Sequence, residues 1–186
     1  MSFEPGRVVM IWAAGRFTAK TGSGYLLTPR LVLTARHVLR PMLEPEPAGA
    51  VGRSSLREPG CRVRPLQFAE SAVDYEAEVH WSLEHLDVAL VRIVDPRWSQ
   101  SALREEWWAP VTGTAEVAVT GLGFPRFQRD DTEQLVARLR PLSGLVRERL
   151  ELVVDDPPAA PADGASPWAG ISGAAVFAEE DRKSVV

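Results

Sequence analysis

Apolar residues in this chain come in short runs separated by glycine, proline and polar turns. Val8–Ala14 is apolar throughout and short, which predicts a buried strand. Thr21-Gly22-Ser23-Gly24 reads as a turn, Tyr25–Thr28 as a second strand, Pro29-Arg30 as a further turn and Leu31–Thr34 as a third strand. Similar runs recur at Ala77–Val79, Val88–Val94, Ala115–Leu122, Leu135–Leu139, Leu145–Val154 and Ala174–Ala178. Gln134–Arg140 also scores as a turn of helix, but Pro141 and the strand-rich surroundings weigh against it. Strands of this length without helical periods predict an all-β sandwich or barrel.

Two stretches interrupt the pattern. Residues 41–60 hold four prolines and three glycines and read as a loop excursion. Around Ser99–Pro110 the composition shifts to Trp, Glu and Pro, which marks a linker between two β halves, 1–105 and 106–186. Asp155–Pro167, with four Pro and three Asp, is an irregular loop directly before a glycine-rich apolar segment.

Composition adds limits. The 186 residues carry 21 Lys+Arg against 25 Asp+Glu, a formal charge of −4. That balance argues against nucleic acid as a partner, because a phosphate binder usually shows a basic face. Cys61 is the sole cysteine, so no intrachain disulfide or Cys-based metal site can form, and the scattered His residues offer no ligand spacing; neither metal nor cofactor is expected. The seven apolar residues after Arg7 fall short of the ~20 needed to cross a bilayer. No cleavage region follows them, so they read as a first strand rather than a signal, and the expectation is a cytoplasmic protein with no membrane partner.

Three residues stand out chemically. His37 follows the apolar run Leu31–Thr34 at the start of a turn, where a rigid strand end fixes an imidazole. Asp87 sits in Leu86-Asp87-Val88-Ala89-Leu90, where a carboxylate is costly unless hydrogen-bonded. Ser172 lies in Gly170-Ile171-Ser172-Gly173-Ala174, where glycines permit a tight turn whose N–H groups can converge on an oxyanion. Each has a bland reading: a surface histidine, a strand-entry aspartate, a small-residue turn. Together they supply a nucleophile, a base and the group that orients the base. The order His, Asp, Ser excludes the hydrolase arrangement in which Ser comes first and His last.

These segments resemble the chymotrypsin/trypsin-like serine protease family. The matching patterns are Gly22-Ser23-Gly24-Tyr25-Leu26-Leu27-Thr28, Thr34-Ala35-Arg36-His37, Leu86-Asp87-Val88-Ala89-Leu90, Gly121-Leu122-Gly123-Phe124-Pro125 and Gly170-x-Ser172-Gly173. The resemblance covers about residues 7–186. It implies two antiparallel β-barrels with the site between them, the first carrying His37 and Asp87 and the second Ser172. It further implies His37 as general base, Asp87 as its orienting acid and Ser172 as nucleophile. Gly170 and Ser172 N–H groups would form the oxyanion hole, and the base of the specificity pocket would fall near Ser166, with no acid there to select Arg or Lys. Ile171 stands where many animal members have an Asp that pairs with a new N-terminus, so the likeness is to bacterial forms. Only 14 residues follow Ser172, so the second barrel is expected to be incomplete, with further domains or a partner segment completing it.

The function expected is a serine endopeptidase acting on polypeptides through an acyl-enzyme. Two other readings stand beside it: a protease-like binding or regulatory module without turnover, and a small-molecule esterase on the same triad.

Overall fold

The structure is a computed structural model that describes residues 4–16, 18–44, 59–66, 73–100, 102–103, 113–125, 131–144, 151–159, 164 and 166–178. Six strands close into an antiparallel barrel: β1 (Val8–Ala14), β2 (Ala19–Thr28), β3 (Leu31–Ala35), β4 (Gly60–Pro65), β5 (Tyr75–Leu83) and β6 (Val88–Ile93), in the spatial order β1-β2-β3-β6-β5-β4. Four more form a second sheet: β7 (Val117–Gly123), β8 (Glu133–Arg140), β9 (Glu151–Val154) and β10 (Val176–Ala178), in the order β10-β7-β8-β9. The all-β expectation holds. The second unit is a four-stranded sheet among the described residues, so the structure gives one closed barrel and one sheet rather than two closed barrels.

The unbroken hydrophobicity of β1 follows from its position. Val9, Ile11 and Ala13 point into the barrel and pack with Leu26, Val32, Val63, Ala89, Val91 and Ile93. Val8 and Met10 point the other way, onto Tyr25 and Phe124, with Leu122, Ala175 and Phe177 of the second unit against them. A strand that serves two cores has no polar face to alternate with. Each such aliphatic side chain contributes about 1.5–3 kcal/mol on burial, so β1 anchors both units. The second sheet has a core of its own, in which Val119, Leu135, Ala137 and Leu139 are covered by Trp168 and Ile171.

Two sequence expectations change. Thr21–Gly24 is not a turn but the middle of β2, paired residue for residue with Ile11, Met10 and Val9 of β1 through Gly22, Ser23 and Gly24. Its glycines serve packing: a Cβ on Gly24 would lie 2.6 Å from Val32 and 2.8 Å from Ile11, and one on Gly22 would lie 2.5 Å from Val38. The second is β4, which was not expected after the loop excursion over 41–60, whose residues 45–58 lie outside the described residues; in β4 Cys61 and Val63 face inward and Arg62 faces outward. Most of the predicted linker, 104–110, and the start of Leu145–Val154 lie outside the described residues.

One end of the barrel is closed by the segment after β6, whose Trp98 packs into the barrel core. Trp98 donates its indole N–H to Pro29 O at 2.7 Å and meets Tyr75 edge-on at 4.9 Å. Arg30 gathers three carbonyls of that segment, Ile93, Asp95 and Trp98, at 3.1–3.2 Å. Burial raises the Cys61 thiol to about 12, so it packs as a small apolar group.

Candidate active site

His37 lies in a 3-10 turn, Arg36–Leu39, that continues from β3 into a one-turn helix, Arg40–Leu43. Val38 and Leu39 of this turn are buried in the barrel core, which holds the backbone and leaves the His37 ring half-exposed. Asp87 closes the turn Glu84–Asp87 that leads into β6, its N–H bonded to Glu84 O at 3.0 Å. The two meet because β3 and β6 are paired, Ala35 opposite Val88.

The contact is two-pronged. The His37 backbone N–H donates to Asp87 Oδ1 at 2.8 Å, and Nδ1 lies 2.6 Å from Oδ2. A third bond, Arg36 N–H to Asp87 O at 2.9 Å, fixes the backbone beneath. Burial acts to raise the Asp87 pKa, but bonds from the His37 ring and backbone, and the charges of His37 and Arg40, outweigh it and hold the carboxyl below its ordinary value. An ionised carboxylate only accepts hydrogen bonds, so the 2.6 Å contact requires the proton on Nδ1. In the neutral ring that leaves Nε2 with its lone pair free to take a proton.

Ser172 is presented by two linked turns. Ile171 N–H bonds to Trp168 O at 3.1 Å with Gly170 at φ 99°, and Ala174 N–H bonds to Ile171 O at 2.9 Å with Gly173 at φ 89°. Positive φ at the third residue of each, with ordinary φ at the second, is the type II pattern that requires glycine there. Ser172 therefore stands at the second position of a tight turn, half-buried. Among the described residues, the N–H groups of Gly170 and Ser172 have no acceptor, while those of Ile171 and Ala174 are used inside the turns.

The turns are seated on the first barrel. Ser23 N–H donates to Ser172 O at 2.8 Å, and Gly173 approaches so closely that a Cβ there would fall 2.2 Å from Ser23 O and 2.9 Å from Ala35 N. Ala35 is two residues from His37, so serine and histidine lie on the same end of the barrel. Among the described residues no hydrogen bond joins the Ser172 hydroxyl to His37. Ser166 lies one turn earlier, exposed; its carbonyl accepts from Ala169 N–H at 3.0 Å and its hydroxyl from Trp168 N–H at 3.3 Å. His80 and His85 are exposed, and the Asp87 carboxylate bonds His37 rather than His85 two residues away.

Ser23, Arg36 and Arg40 were not singled out by the sequence. Arg36 is nearly buried and lies 3.5 Å from Glu84 and 3.7 Å from Glu44, bracing the two loops that carry His37 and Asp87. Its place beside the histidine is the only local signal for such a role.

A six-stranded antiparallel barrel joined to a second sheet, with a His–Asp pair on one and a glycine-flanked serine turn between them, is the architecture of trypsin-like peptidases. The trypsin-like peptidase domain model matches residues 22–186, and the chain belongs to this family of serine proteases. Solved structures of similar fold include the Rv3671c protease of M. tuberculosis in its active form, 20% identical with a TM-score of 0.56, covering 93% of this chain and 65% of that one. Deg5 matches at 14% identity and a TM-score of 0.62, over 94% of this chain and 75% of its own. A serine endoprotease from Yersinia pestis matches at 15% identity and a TM-score of 0.53, over 94% of this chain and 50% of its own. The chain thus spans about two thirds, three quarters and half of these three structures. No curated protein matches the sequence.

Proposed function

We propose that the chain is the catalytic domain of a serine endopeptidase that cleaves polypeptides through an acyl-enzyme on Ser172. His37 takes the Ser172 proton at Nε2, and Asp87 holds the imidazole in the tautomer that leaves Nε2 free and stabilises the imidazolium that forms. The N–H groups of Gly170 and Ser172 receive the oxyanion of the tetrahedral intermediate. The same proton then passes from Nε2 to the leaving amine, and water repeats the sequence to release the acid. The observation that carries this reading is the double hydrogen bond from His37 to the Asp87 carboxylate, which fixes both ring orientation and tautomer. Closure of the remaining gap between Ser172 and His37 on substrate binding is ordinary, because catalytic hydrogen bonds often tighten only in the complex. Ser166 at the base of the specificity pocket offers a neutral hydroxyl, so cleavage after Arg or Lys is not favoured.

Covalent labelling tests it. A fluorophosphonate should modify the wild-type protein, and Ser172→Ala should abolish labelling while leaving the thermal unfolding midpoint in place. Equal labelling of the two proteins would remove Ser172 as nucleophile.

A further inference from the structure

Among the described residues, Ser23 joins the two units by three hydrogen bonds. It is wholly buried on β2, on the face that looks toward the second sheet. All three of its polar groups are used, in four hydrogen bonds. Its N–H donates to Ser172 O at 2.8 Å, and its carbonyl accepts from the Thr34 hydroxyl at 2.7 Å. Its own hydroxyl donates to Gly170 O at 3.0 Å and accepts from Phe124 N–H at 2.9 Å.

The placement of these bonds is selective. Gly170 and Ser172 are the two residues whose N–H groups are turned to the oxyanion in the proposed mechanism, and Ser23 grips the carbonyl of each. Each of those carbonyls belongs to a peptide plane one step beyond the donor N–H, so fixing it limits rotation about the glycine or serine that carries the donor. The hydroxyl also ties Gly170 to Phe124, at the end of the glycine-rich segment Gly121–Phe124 of the second unit. Gly123 is tight against it: a Cβ there would sit 2.7 Å from Ser23 Oγ and 2.7 Å from Ile171. Through Thr34 the same residue is bound to β3, three residues before His37.

The geometry points to Ser23 as a positioning residue that sets the oxyanion-hole peptides of the Ser172 turn in register with the His37 strand. This inference rests on the reading of Ser172 as nucleophile. It assigns the hydroxyl a task that barrel stability alone does not need, since the hydroxyl bonds Gly170 and Phe124, neither of which belongs to the barrel. Without the hydroxyl, Gly170 O loses a donor and the buried Phe124 N–H an acceptor, and the turn relaxes toward other partners. A donor displaced by about 1 Å can cost ~10²-fold in rate.

The test compares wild type, Ser23→Ala, Ser23→Cys and Ser172→Ala. Labelling rate with a fluorophosphonate, kcat and KM on a peptide ester, and thermal midpoint are measured for each. Ser23→Ala should lower the labelling rate and kcat by about 10- to 100-fold with KM nearly unchanged. The near-isosteric Ser23→Cys, whose thiol is a weaker donor, should fall between and keeps the test decisive where the alanine variant does not fold. Labelling and kcat at the wild-type level in whichever variant folds overturn the inference, as does a loss carried entirely by KM. Wild type and Ser172→Ala that are equally unlabelled overturn the nucleophile assignment, and the role of Ser23 falls with it.

Discussion

Asp87 reaches His37 from a backbone conformation that few side chains adopt. Its φ is 51°, and from there one carboxylate oxygen accepts the His37 backbone N–H at 2.8 Å while the other lies 2.6 Å from Nδ1. Left-handed φ is disfavoured for residues with a Cβ, and Asp and Asn tolerate it better than most. The turn Glu84–Asp87 therefore constrains the residue twice, by its backbone and by the two bonds its side chain must make.

That double constraint separates two substitutions. Asp87→Asn suits the backbone and keeps an acceptor for the His37 N–H, so it should unfold within a few degrees of wild type. Its amide cannot accept at both positions as the carboxylate does, and an NH2 facing Nδ1 drives the ring proton to Nε2. The expected loss in kcat is ~10⁴-fold, the value known for the equivalent change in this protease family. Asp87→Ala lacks the acceptor and the tolerance for positive φ, so it should be about 1 kcal/mol less stable than Asp87→Asn. Urea unfolding and peptide turnover of the two variants, side by side, check both expectations. Wild-type turnover in Asp87→Asn would sink the assignment of Asp87.

What the sequence revealed depended on whether the cause was local. β1 was legible because Val8–Ala14 is apolar on both faces, and the barrel burial of Val9 with the inter-sheet burial of Val8 is what such a run means. The His37–Asp87 pair was legible because both sit at strand ends, one beside a buried run and the other as an acid among apolar residues. β4 was not, since Arg62 and Arg64 mask the inward Cys61 and Val63, and a proline- and glycine-rich stretch precedes them. Gly22 and Gly24 were misread for a physical reason. Local rules take glycine as a turn, whereas here it makes room for Val38, Val32 and Ile11, which only the closed barrel brings close. Ser23 stayed hidden for the same reason: its hydroxyl partners lie 101 and 147 residues away.

Glycine also gives a prediction with an internal control. A Cβ on Gly173 would meet Ser23 O at 2.2 Å, Thr34 Oγ1 at 2.4 Å and Ala35 N at 2.9 Å, and its φ of 89° disfavours any side chain. Two of those neighbours are strand backbone and cannot step aside, so Gly173→Ala must lift the Ser172 turn off the barrel. Positive φ alone costs roughly 1–2 kcal/mol, and the clash adds to it. Fluorophosphonate labelling should fall by at least as much as in Ser23→Ala. Gly60→Ala, where nothing lies within 4 Å, should change neither labelling nor stability by more than about 0.5 kcal/mol. Equal labelling of these two alanine variants would show that the turn is not held by its seat on β2 and β3.

The last prediction concerns acid. Asp95 is buried, and its carboxylate accepts Glu76 N–H at 3.2 Å, Arg97 N–H at 2.8 Å and the Arg97 guanidinium at 3.0 and 2.6 Å. The bonds from the Arg97 side chain, the largest influence, outweigh burial and hold the carboxyl far below its ordinary 3.8. Asp87 is depressed as well, though it is half-exposed and better screened. A carboxyl with a depressed folded-state pKa binds its proton more readily in the unfolded chain. Its stabilisation is therefore complete above the ordinary value and is lost as pH falls below it, toward the folded-state value. Wild-type stability should be nearly flat in this respect from neutral pH to about 5 and should fall steeply below about 4. Asp95→Asn, whose amide cannot serve Arg97 as the carboxylate does, should be less stable at pH 7. Its deficit should shrink as the wild type loses the charge, so the two urea midpoints should converge between pH 5 and 3. A deficit that stays constant over that range would mean that Asp95 contributes packing and not charge, and that the segment closing the barrel is held by Arg30 and Trp98 alone.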